Sequence, residues 1–157
     1  MNTKLFSAIA LLISLVISLP ACMNSTTETH SPLKAWQGEF SEEKLKEAIT
    51  EYEKDYAPIP FSETGTIILS LDENIDSCRV TRVSYVEEDF GELENYIDTH
   101  ISVEYDQETK ELTIDCSFLN AKTSWVSTKP LWSLLIKAET TSAEVIYYYV
   151  RTAIDSN

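Results

Sequence analysis

The sequence predicts an α+β domain, with one N-terminal helix packed on a curved antiparallel sheet of about six strands. Three observations carry this. One segment, residues 41–56, repeats apolar residues at helical spacing. A series of later segments alternates with the period of two that marks strands. The last of them, AEVIYYYVRTAI (143–154), is apolar on both faces, as a strand is when it is covered on both sides. The alternative with the same elements is a β-sandwich carrying the helix outside it.

The helix is read from FSEEKLKEAITEYEKDY (40–56). Ser41 is a good N-cap, and Glu42 and Glu43 suit the positive end of a helix. Phe40 before the cap and Leu45 can form a hydrophobic staple. Leu45, Ala48, Ile49, Tyr52 and Tyr56 make one apolar stripe, and Pro58 and Pro60 stop the helix. TGTIILSL (64–71) then places Ile67, Leu69 and Leu71 on one strand face. SCRVTRVSYVE (77–87) is rich in β-branched residues but mixed in pattern. YIDTHISVEY (96–105) and ELTIDCSFL (111–119) alternate and read as a hairpin across DQETK, the second with Leu112, Ile114, Cys116 and Phe118 inward. PLWSLLIKA (130–138) and residues 143–154 form a second pair across ETTS. At this coarse level the pattern is similar to the cystatin-like and the nuclear-transport-factor-like arrangements, without a motif shared with either.

The N-terminus carries an address. MNTK is followed by fifteen uncharged residues, LFSAIALLISLVISL (5–19), closed by Pro20. A short positive segment before an apolar one is the pattern of a secretory signal, and the run is shorter than the roughly 20 residues that span a bilayer. Leu19-Pro20-Ala21-Cys22 resembles the lipobox of bacterial lipoproteins, departing from it at Pro20. The resemblance covers residues 1–22 and implies that the signal is cut before Cys22, that the thiol receives a diacylglyceryl group, and that the new N-terminus is acylated. Stable attachment needs more than one acyl chain, at about 0.8 kcal/mol per buried CH₂. Met23 is not the aspartate that resembles an inner-membrane retention signal, so the expected place is the cell envelope, at the outer membrane if the cell has one. Residues 1–21 are then signal, 22–35 a lipidated cysteine and polar tether, and 36–157 one globular domain. The tether, at about 3.5 Å per residue, reaches at most about 45 Å.

The formal charge is −14, and loss of Lys4 with the signal makes it one unit more negative. Such a charge argues against a nucleic-acid partner and against flat binding to an anionic bilayer. With Cys22 lipidated, Cys78 and Cys116 remain. In an oxidising compartment they are expected to pair, at a gain of roughly 4 kcal/mol in the chain-entropy model.

Catalytic patterns are not visible. The two histidines, His30 and His100, are far apart in sequence, and no zinc ligand set, phosphate loop or nucleophile elbow occurs, so neither catalytic residue, metal nor cofactor is expected. Asp72-Glu73-Asn74-Ile75-Asp76 begins like a calcium loop, but Ser77 replaces its glycine and Val83 its bidentate glutamate; it reads as a turn. EEDFGELE (87–94) holds Glu87, Glu88, Asp89, Glu92 and Glu94 in what reads as an open, solvated connection. Trp125 lies among polar residues and can anchor a partner. These six residues are the candidate partner contacts. The expected role is a non-enzymatic, membrane-tethered binding or scaffolding module for a macromolecule, with a basic envelope protein best suited to the charge. The alternative is a small-ligand carrier with a pocket between helix and sheet.

Overall fold

The computed structural model describes residues 28–60, 65–87, 91–96, 101–117, 119 and 131–153. Over them the chain runs β1 (Thr29–His30), β2 (Leu33–Gln37), α1 (Glu42–Asp55), β3 (Ile59–Pro60), β4 (Thr66–Ser70), β5 (Ile75–Glu87), β6 (Gly91–Tyr96), β7 (Val103–Asp106), β8 (Glu111–Asp115), β9 (Leu131–Thr140) and β10 (Val145–Ala153). The described elements are mostly strands with the one 14-residue helix α1, as expected. The sheet is not one curved layer but two. Four strands pair in the order β1-β4-β8-β7, and the others in the order β2-β10-β9-β5-β6, with β3 also on β10. The single-sheet expectation is corrected, and the reason lies in burial. Strands β4 and β8 bury one face, whereas β9 and β10 are buried almost throughout. A strand apolar on both faces needs two coverings, and a second sheet supplies one of them.

The main core fills the space between the sheets. Ile67 and Leu69 of β4 and Leu112 and Ile114 of β8 meet Val83, Leu134, Ile136, Ala138, Ile146, Tyr148 and Val150 of the larger sheet. The other face of β10 is covered by α1, whose Leu45, Ala48 and Tyr52 pack on Leu33, Trp36, Leu135, Tyr147 and Tyr149. Alternate residues of β10 thus belong to two different cores. Helix α1 begins at the expected cap, where the Ser41 Oγ accepts from the Lys44 N–H at 3.4 Å. It is pinned at its far end by the Tyr52 hydroxyl, which donates to the carbonyls of Ala57 at 3.0 Å and Arg151 at 3.4 Å.

Strand β5 explains its mixed sequence. Its ladder to β9 shifts register between Ile75 and Ser77 and again between Val80 and Arg82. Each bulge moves the inward face by one residue, so Ile75, then Cys78 and Val80, then Val83 face the same core.

Residues 29–35, expected in the tether, are instead part of the domain. β1 pairs parallel with β4, and β2 pairs antiparallel with β10. Leu33 is 4% exposed. The polar composition of this stretch hid two contacts that the rest of the fold provides: a β4 edge for Thr29 and His30, and a core for Leu33 and Trp36. Six residues, 23–28, then separate Cys22 from β1, a reach of at most about 25 Å.

At one end of the sandwich, the Leu71 N–H donates to the Lys110 carbonyl at 2.9 Å and the Thr141 N–H to the Asn74 carbonyl at 3.0 Å. The β4–β5 connection thereby ties the β7–β8 turn to the β9–β10 turn. The Tyr105 hydroxyl donates to the Glu73 carbonyl at 2.9 Å, and Glu73 pairs with Lys34. The calcium-like stretch is thus a turn braced by its neighbours. Strand β1 enters beside β4, with Thr29 opposite Ile68 and His30 opposite Leu69, and the Thr29 hydroxyl donates to the Glu111 carboxylate at 3.0 Å.

Candidate functional site

An open groove of about 670 Å³ lies at the tied end, between the β2–α1 connection and the β9–β10 hairpin. Local sequence builds it. Gly38 takes a positive φ of 96° and its N–H donates to the Val145 carbonyl at 2.9 Å, which turns the chain out of β2 and toward the Ser41 cap. Trp36, the last large residue before that turn, donates from Nε1 to the Glu39 carbonyl at 3.1 Å. The turn thus holds Phe40 beside Trp36 and Tyr147. The Trp36 and Tyr147 rings stack at 4.6 Å and 19°, and Phe40 is inclined to them at 6.2 Å and 6.1 Å. Phe40 stays 43% exposed. Its ring contacts are with this aromatic pair and with the Arg82 guanidinium, 5.2 Å from its centroid.

Charge in and around the groove is uneven. Arg82 is committed to Glu42, with bonds of 2.6 Å and 3.0 Å, and holds the Glu42 carboxyl below the usual carboxylate range. Lys137 is committed to Glu139 at 2.8 Å, and its hydrogen bond likewise lowers the Glu139 carboxyl. Glu39 and Glu144, both lining the groove and exposed, form no ion pair among the described residues. Their backbones are fixed: the Glu39 carbonyl by Trp36, and Glu144 by the Thr140 Oγ1, which accepts from its N–H at 3.1 Å. The groove therefore presents an aromatic floor, two uncommitted carboxylates and cations that are already neutralised.

The residues singled out from the sequence fall elsewhere. Cys22, Glu88, Asp89 and Trp125 lie outside the described residues. Glu87 ends β5, and Glu92 and Glu94 are on β6, opposite Val86 and Tyr85. Glu87, Glu92 and Glu94 thus lie on paired strands at the end of the larger sheet away from the groove. Cys78 and Cys116 are free, which corrects the expected disulfide. They sit on different sheets: Cys116, just after β8, is in the inter-sheet core, and Cys78 on β5 packs against it. Burial pushes the Cys78 thiol up to about 11. Burial, with a contribution from the Asp115 charge, pushes Cys116 up to about 12. Both are therefore protonated and unreactive at neutral pH.

Sequence reasoning missed Glu39, Phe40, Tyr147 and Glu144 as a group. The available signal was an aromatic-rich turn, Trp36-x-Gly38-x-Phe40, before a helix cap. Between helix and sheet, where the alternative reading places a carrier pocket, Leu45, Ala48 and Tyr52 pack on Leu33, Trp36, Leu135, Tyr147 and Tyr149. Comparison with known proteins finds no matching family model, no similar curated protein and no similar solved structure.

Proposed function

We propose that the protein is a lipid-anchored cell-envelope module that binds or scaffolds a macromolecule and does no chemistry of its own. The observation that carries the reading is the groove itself, which sets an aromatic pair and two exposed carboxylates, Glu39 and Glu144, together on a chain whose β1 begins seven residues after Cys22. Acyl chains on Cys22 would hold β1 within about 25 Å of the lipid. Among the described residues the groove is lined by no histidine, serine or cysteine, which suits recognition better than nucleophilic catalysis.

The test is mass analysis of the N-terminal peptide from native membranes, with Cys22→Ser beside it. The expected peptide starts at Cys22 and carries a thioether-linked diacylglyceryl group, and the variant leaves the membrane fraction. A mature chain that starts at Met1, or a free thiol at residue 22, would sink the anchored reading.

A further inference from the structure

We propose that the groove receives a cationic side chain, Lys or Arg, from a basic peptide segment of its partner. The inference deepens the reading of the groove as the contact surface and rests on it. A ligand for this site must suit an apolar aromatic floor and two carboxylates together. A guanidinium or ammonium on an aliphatic stem does both: the stem lies on Phe40 and the head reaches Glu39 and Glu144. The chain itself makes the same contact nearby, where the Arg82 guanidinium lies over Phe40 and is held by Glu42. Cations are attracted to ring faces within about 6 Å. The local cations do not oppose this, because Arg82 and Lys137 are each satisfied by a carboxylate. An anionic segment would have to displace those pairs, and would approach a chain with a formal charge of −14. A neutral segment would leave Glu39 and Glu144 unused.

The test uses the full lipidated protein in zwitterionic nanodiscs and biolayer interferometry. The probes are an arginine-containing decapeptide, an equal-length glutamate decapeptide and a neutral chitotetraose. The expected result is saturable binding of the arginine peptide alone. The double change Glu39→Gln/Glu144→Gln should weaken it at least fivefold, and Phe40→Ala should weaken it further. A control pair on the outer face of the helix, Glu47→Gln/Glu51→Gln, removes equal charge and should change binding less than twofold. Equal losses from the two pairs would mean diffuse attraction to an acidic globule and would overturn the inference. So would chitotetraose binding that depends on Phe40 but not on the carboxylates, or no arginine-peptide binding at all. None of these outcomes touches the lipid on Cys22, so this inference and the anchored reading can fail separately.

Discussion

Two glycines, one at each end of the sandwich, should respond very differently to the same substitution. Gly65 and Gly38 both adopt positive φ, 76° and 96°. Alanine at either site therefore takes a backbone strain of about 1–2 kcal/mol. Only Gly65 adds a steric conflict. A Cβ there would stand 2.8 Å from the Ser117 Cα and 3.2 Å from its N and Cβ, whereas at Gly38 it would meet nothing within 4 Å. The obstruction at Gly65 is backbone, and that backbone is held: the neighbouring Cys116 N–H donates to the Gly65 carbonyl at 2.8 Å. Relief requires β4 and the end of β8 to separate, an overpacking cost of about 1–3 kcal/mol. Gly65→Ala should thus lose about 2–5 kcal/mol and Gly38→Ala about 1–2 kcal/mol, from urea unfolding followed by tryptophan fluorescence. Equal losses at the two sites would refute the argument, because strain alone would then account for both. A Gly38→Ala protein that folds but loses partner binding would show that the turn positions Phe40 more delicately than its open surroundings imply.

Leu33→Ala should destabilise the protein by about 2–5 kcal/mol in the same assay, because Leu33 is in the helix-side core; a change near zero would return residues 29–35 to the tether. In native protein at pH 8, Cys78 should react slowly with iodoacetamide and Cys116 only after unfolding, read by mass spectrometry of the labelled peptides. Alkali should also weaken the fold. The buried Cys116 keeps its proton to about 12 while the unfolded chain releases it near 9, so the stability it contributes is full below pH 9 and is lost as pH rises toward 12. The loss attributable to Cys116 at pH 11 is about 3 kcal/mol, and Cys116→Ala should flatten that part of the pH profile. A profile unchanged by the substitution would contradict the buried, protonated thiol.

Much of the architecture was legible because period and burial agree. The Ser41 cap, the Leu45–Ala48–Tyr52 stripe and the β9–β10 hairpin are where the pattern placed them; of the strand expected over 96–105, Val103–Tyr105 lie on β7 and pair with β8 across the expected turn, while Tyr96 belongs to β6 and pairs with Val83. The two-faced apolarity of residues 145–153 correctly required two coverings. What stayed hidden has physical causes. Leu33 and Trp36 both face the helix core, three residues apart, because the β2–β10 ladder shifts register between Tyr147 and Tyr148; that spacing erases strand periodicity. The bulges of β5 do the same for Cys78, Val80 and Val83. Division of the strands into two sheets is decided by long-range pairing such as β1 on β4, and no local pattern encodes it. The groove was invisible for a similar reason: Glu39 and Phe40 meet Glu144 and Tyr147 across about a hundred residues, and each alone reads as a turn or core residue.

Site-directed photocrosslinking in living cells tests the central claim most directly. A benzophenone side chain at Gln37, on the groove, is compared with one at Glu51, on the outer face of the helix. The account predicts one basic envelope protein joined to position 37, absent from position 51, and lost when Cys22→Ser releases the chain from the membrane. Crosslinks of equal yield from both positions, or a position-37 adduct indifferent to the anchor, would contradict it.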